Sequence, residues 1–314
     1  MVADSFGISA DKADFSVHSV SSIIRLFMYI LDTSALRGIS RKNLEDAAKN
    51  HVMSISTISI LEMASHLNDS PAPSKFLRLR GNFLKCKNFN IIDDPFWVLS
   101  EKINLSVNIT RKEDKYVLLQ LIKLVEDSTT QDELSQKKLT FPNGDTALCN
   151  YIGEDISKIL KEEENRYIDD IYKMAKKIDL PPSMNGKHLL TEENLISAQI
   201  MCAEGLAGDM KIDSRVSSFC ATCIYTGYIL SRLYFYANAR SRGIEEFAID
   251  RNDCEDAYIC LNLDISNDNI LVTNDKGTIS AIKNTIKLLN TSFNNQIMED
   301  RVIDTTEFLA RVKP

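Results

Sequence analysis

The chain has 314 residues and a formal net charge of −7, with 44% hydrophobic and 26% charged residues, the balance of a globular protein that buries a core. Its seven cysteines, odd in number and widely spaced, exclude a disulfide-stapled scaffold. The acidic balance makes any nucleic-acid partner depend on a local basic patch rather than on overall charge.

Residues 1–27 read as a polar N-terminal extension. Asp4, Asp11 and Asp14 give it the wrong charge for a secretory leader, and Met28 is an alternative start. The run Phe27-Met28-Tyr29-Ile30-Leu31 then ends abruptly in Asp32-Thr33-Ser34. It predicts a buried strand whose carboxyl end presents polar groups, where ligands sit in open α/β sheets. A helix is expected over 41–50, a strand over 52–55, a helix from the N-cap Ser56 to Leu67, a helix over 75–86 and a strand over 89–92. The segment 95–236 reads as a large, mostly α-helical insertion without strand alternation. Its clearest helix is 156–177, and turns fall at Pro142-Asn143-Gly144 and Pro181-Pro182. The uncharged stretch 216–231 is shorter than the roughly 20 apolar residues of a membrane span and reads as a core helix. Cys220 and Cys223 form a CxxC inside it, with no second ligand pair nearby, and read as buried thiols. The α/β rhythm returns near 237. A helix over 253–263 is followed by a strand Ile270-Leu271-Val272-Thr273, a break at Gly277, a helix over 278–289, a strand over 301–303 and a helix from Thr305. The expected chain is α/β, cytoplasmic and free of membrane association.

Acidic residues recur in four positions of this pattern. Asp32 ends the first strand and Asp275 follows the fourth. Glu62 is the only charge between His51 and His66. Asp253 and Asp256 stand three apart on one helix and share a face. Hard carboxylate oxygens of this kind suit Mg²⁺ or Mn²⁺, which polarise a phosphoryl oxygen and activate water. Each acid also has a structural reading. Asp32 caps a turn or helix, Glu62 lies on a solvated edge, Asp253 is an N-cap with Asp256 beside the helix dipole, and Asp275-Lys276-Gly277 is a plain turn.

The order of the motifs is similar to that of the PIN-domain family. Tyr29-Ile30-Leu31-Asp32-Thr33-Ser34-Ala35 resembles its first-strand motif, and Ser56 with Glu62 six residues later resembles the second acidic motif. Asn252-Asp253-Cys254-Glu255-Asp256-Ala257 resembles the third, and Leu271-Val272-Thr273-Asn274-Asp275-Lys276 the fourth. The resemblance implies a Rossmann-like α/β/α sandwich with a central parallel sheet, and metal-dependent phosphodiester hydrolysis, most often in RNA. Carried over by position, Asp32, Glu62, Asp256 and Asp275 are the metal-binding acids, with Asp253 a fifth candidate. Thr33, Ser34, Thr273 and Asn274 are supporting groups. The nuclease domain would comprise 28–94 and 237–314. The insertion at 95–236 departs from the family, and a lid, an oligomerisation arm and an RNA guide are all open roles for it.

A phosphate-binding surface is expected at Lys75, Arg78, Arg80, Lys85 and Lys87, since no acid occurs from Ser70 to Ile92. A second cluster joins Arg240 and Arg242 to Tyr234 and Tyr236 for charge and base stacking. The expected partners are RNA or single-stranded DNA, with an antitoxin-like or regulatory protein and a second copy of the chain as further candidates. The alternatives to a nuclease are a non-catalytic helical scaffold on the same sheet and a phosphatase or nucleotide hydrolase. No GxxxxGK[ST] loop occurs in the sequence, which argues against a P-loop enzyme.

Overall fold

The structure, a computed structural model, describes residues 27–69, 73–94, 112–178, 189–207, 215–244, 248–293 and 297–313. In chain order the first elements are β1 (Met28–Leu31), α1 (Thr33–Gly38), α2 (Arg41–Ala47), β2 (Val52–Ser56), α3 (Thr57–Ser65), α4 (Pro73–Cys86) and β3 (Asn90–Ile92). Then come α5 (Lys112–Glu126), α6 (Gln131–Ser135), β4 (Lys138–Thr140), β5 (Thr146–Leu148), α7 (Cys149–Lys177), α8 (Glu192–Ala207) and α9 (Arg215–Ser241). The last are α10 (Asn252–Cys260), β6 (Ile270–Val272), α11 (Lys276–Ser292), β7 (Val302–Ile303) and α12 (Thr305–Arg311).

Strand β1 is apolar throughout because helices cover both of its faces, as in parallel sheets generally. It is the middle of a five-stranded parallel sheet of order β3-β2-β1-β6-β7. Alternation along the strands feeds two cores. Tyr29, Leu31, Met53, Ile55, Ile91, Ile270, Val272 and Ile303 point into one, with side chains of α1 to α6 and α12. Ile30, Leu271 and Val302 point into the other, with α7 to α11. The strand order reverses between β1 and β6, so the carboxyl ends of these two strands open a crevice where open α/β sheets bind ligands. The ends of four sheet strands, β1, β2, β6 and β7, also start helices. Asp32, Ser56, Asp275 and Asp304 accept backbone N–H bonds as the N-caps of α1, α3, α11 and α12.

The segment 95–236 is divided over both faces. Leu118, Leu121, Ile122 and Val125 of α5 join the first core, while Leu195 of α8 and Cys223, Ile224 and Tyr228 of α9 join the second. Helix α7, about 44 Å long at 1.5 Å per residue, runs from one core to the other: Cys149 lies in the first, and Tyr167, Ile171 and Ala175 in the second. One expectation needs correction, since β4 and β5 pair as an antiparallel ribbon around the Pro142-Asn143-Gly144 turn. Gly277, expected as a break, lies in the first turn of α11. The N-terminal extension up to residue 26 and the Pro181-Pro182 turn lie outside the described residues.

Candidate functional site

Asp32 leaves β1 with 7% exposure. Its Oδ1 accepts from Ala35 N at 2.6 Å, and the Ser34 hydroxyl donates at 2.9 Å to either carboxylate oxygen. Ser34 Oγ also accepts from Asn274 N at 2.8 Å and stands 3.4 Å from Thr273 Oγ1. Thr273 Oγ1 accepts from Asp275 N at 3.1 Å, and Asp275 Oδ1 accepts from Thr278 N at 2.6 Å. The Thr278 hydroxyl donates to Asp256 Oδ2 at 2.7 Å. A continuous polar chain therefore joins Asp32, Asp275 and Asp256 across β1, β6, α11 and α10.

The same acids feel each other's charge. Burial pushes the Asp32 carboxyl up to about 6, against hydrogen bonds from Thr273, Ala35 and Ser34, and the Glu62 charge adds to the rise. Burial likewise pushes Asp256 up to about 8. The Thr278 bond opposes this, while the charges of Asp275, Asp32 and Asp253 reinforce it. Glu62 stands at the rim of this cluster and takes a 3.2 Å hydrogen bond from Arg37 Nη2. Glu255 is pushed up to about 8 by burial first and then by Glu62, Glu164 and Asp256. Helix α7 thus adds acids of its own. Its Glu163 accepts from Tyr258 OH at 2.9 Å, and its Glu164 faces Arg251 at 3.9 Å.

Several expected residues are committed elsewhere. Asp253 accepts from Arg232 Nε at 2.8 Å and from Tyr236 OH at 2.5 Å, and its other oxygen lies 2.8 Å from Arg232 Nη2. An internal ion pair therefore occupies both oxygens of the fifth candidate acid. Thr33 Oγ1 is buried with no hydrogen-bond partner among the described residues. The Asn274 side chain ties its loop to the first turns of α1 and α12, donating to Ser34 O and accepting from Thr305 N and Oγ1. In the basic patch, Arg80 donates to Glu126 O, Lys85 to Leu36 O, and Lys87 pairs with Glu126 at 2.5 Å. Only Lys75 and Arg78 of that set are solvent-facing without an ion pair among the described residues. Arg240 donates to Lys176 O, Arg242 is exposed, and Tyr236 is buried against Asp253, so base stacking on that ring is ruled out.

Sequence reasoning missed Thr278, Glu255 and Arg232. Thr278 lies three residues after a strand-end acid, a spacing that marks a helix first turn. Glu255 lies inside the third motif, between its two aspartates, whereas Arg232 carries no local signal. Among the described residues, no three acidic, cysteine or histidine side chains close tightly enough to clasp an ion on their own. The donor set still fits a hard divalent ion that retains waters, because carboxylates raised by burial and mutual repulsion are relieved by a cation. No protein-family model, curated protein or solved structure matches this chain. Among the described residues, no helix is long and apolar enough to cross a membrane.

Proposed function

We propose that the chain is a PIN-like, metal-dependent nuclease that hydrolyses phosphodiester bonds in RNA. The observation carrying this reading is the polar chain from Asp32 through Ser34, Thr273, Asp275 and Thr278 to Asp256, at the strand ends where the sheet order reverses. Asp32, Asp275, Asp256 and Glu62 would hold Mg²⁺ or Mn²⁺, partly through waters. The ion would supply Lewis-acid polarisation of the phosphate and activation of water. The Ser34, Thr273 and Thr278 hydroxyls fix the carboxylates in place. Burial against the sheet keeps bulk water from screening them.

A scaffold reading has one specific observation in its favour. Asp32 and Asp275 both cap helices, a sufficient structural reason for an acid at either position. Incubation of the purified protein with total RNA and with single-stranded DNA, in Mg²⁺, Mn²⁺ or EDTA, separates the two. The nuclease reading expects RNA to be cut with metal and spared in EDTA. Intact RNA in all three conditions favours the scaffold, and release of inorganic phosphate from monoesters alone favours a phosphatase.

A further inference from the structure

Two arginines meet acids around the cluster, and they are held very differently. Arg232 grips both oxygens of Asp253 at 2.8 Å, with 17% side-chain exposure. Arg37 touches Glu62 through Nη2 alone, on one oxygen, at 3.2 Å, and its side chain stays 53% exposed. That distance exceeds the roughly 2.7–2.9 Å of a firm charge-assisted bond. The remaining Arg37 nitrogens have no hydrogen-bond partner among the described residues. An exposed pair joined at a single point is held weakly.

Arg37 stands in the last turn of α1, whose N-cap is Asp32. Five residues at 1.5 Å each set the two about 7.5 Å apart along the helix axis. The short helix therefore carries a site acid at one end and a solvent-facing cation at the other. The Arg37 charge also reaches Glu255, easing a carboxyl that burial, Glu62, Glu164 and Asp256 push up. In the metal-free chain Arg37 thus supplies part of the counter-charge these acids need. A divalent ion held by Glu62 would supply that charge itself, and like charge would drive the guanidinium off. Solvent, not protein, covers about half of the Arg37 side chain, which leaves it free to turn. A released guanidinium is a planar fork suited to a phosphate.

We propose that Arg37 holds Glu62 only while no cation does, and in the metal-loaded protein turns to the substrate, donating to a non-bridging oxygen of the RNA phosphate. This rests on the nuclease reading above. The test compares wild type with Arg37→Ala and with Arg41→Ala. Arg41 has the same 53% exposure and pairs with Glu45 inside α2, which makes it the control for surface charge. Mn²⁺ affinity is read by thermal-shift titration without RNA. RNA affinity is read by fluorescence anisotropy of a fluorescein-labelled single-stranded RNA, in Ca²⁺ and in EDTA. Arg37→Ala is expected to melt close to wild type and to bind Mn²⁺ about two- to fivefold more tightly, because the competing cation is gone. It should bind RNA about fivefold more weakly in Ca²⁺ and little differently in EDTA, where Glu62 already occupies the wild-type guanidinium. Arg41→Ala should match wild type in all three measurements. Weaker Mn²⁺ binding by Arg37→Ala, or an equal loss of RNA affinity in Ca²⁺ and in EDTA, overturns the exchange. Unchanged RNA affinity in Ca²⁺ overturns the phosphate contact, and cleavage by wild type then leaves the nuclease reading standing. A wild-type protein that neither takes up Mn²⁺ nor cuts RNA removes both.

Discussion

Asp32 does two things with one carboxylate: it caps α1 through Ala35 N and it faces the charge of Glu62. Asparagine keeps the cap acceptor but not the charge, so Asp32→Asn is expected to fold, to melt at or above wild type without metal, and to show a smaller Mn²⁺-induced shift. The relief is on the order of 1.4 kcal/mol for each unit by which the native carboxyl was raised. A large loss of metal-free stability would instead mark Asp32 as a cap alone. The pH dependence follows from the same shifts. Asp256 rises from 3.8 to about 8, so the folded chain keeps a proton that the unfolded chain releases near pH 4. This group's stabilisation is complete below about pH 4, declines as pH rises and is lost above about pH 8. Denaturant titrations across that window should show metal-free stability falling with pH, a shallower fall in Asp256→Asn, and a shallower fall in wild type with saturating Mn²⁺. Spacing alone does not separate Asp253 from Asp256, because side chains three apart share a helix face, and only the family motif ranked Asp256 first. The ion pair that takes Asp253 depends on Arg232, more than twenty positions away, which no local pattern reports.

At the scale of elements, two contacts outside the site hold its frame. Gly227 lets α9 approach α11 so closely that a Cβ there would lie 2.2 Å from Thr285 Oγ1 and 2.8 Å from Thr285 Cβ. Gly227→Ala should cost about 1–3 kcal/mol by overpacking. Adding Thr285→Ala should restore only part of it, because the Thr285 Cβ remains. Arg301 fastens the loop before β6, donating to Asp264 O at 2.9 Å, to Asn267 O at 2.5 Å and to Asn269 O. Arg301→Met leaves those carbonyls unpartnered and should cost about 3 kcal/mol or more, read as a shift in the urea midpoint at unchanged slope. The sheet strands and α3, α4 and α10 were legible because apolar runs of the right length ended at capping residues such as Ser56. The β4–β5 ribbon was not, since each strand has three residues and buries little. Helix α1 was also missed, because six residues give no helical period to read.

At the scale of the whole molecule, the segment 95–236 helps build the fold. Its described helices contribute Leu121, Val125 and Tyr228 to cores that also hold β1. A chain in which 95–236 is replaced by a short linker should therefore lose cooperative unfolding rather than yield a trimmed nuclease, a result that calorimetry would reveal. The helical character of this segment was readable from periodicity. Its split over both sheet faces was not, because a period reports which side of a helix is apolar and not what covers it. The contacts of the expected basic surface were hidden for a related reason: Arg80, Lys85 and Lys87 bond to carbonyls and Glu126, and a sequence free of acids over 70–92 does not disclose partners at 36 and 126. The most direct test of the acidic site as a hydrolytic centre is a cleavage time course on labelled single-stranded RNA in Mn²⁺, with wild type and Asp32→Asn side by side. The account predicts cutting by wild type, none in EDTA, and loss of cutting in a folded Asp32→Asn protein. Cleavage at the wild-type rate by Asp32→Asn would contradict it.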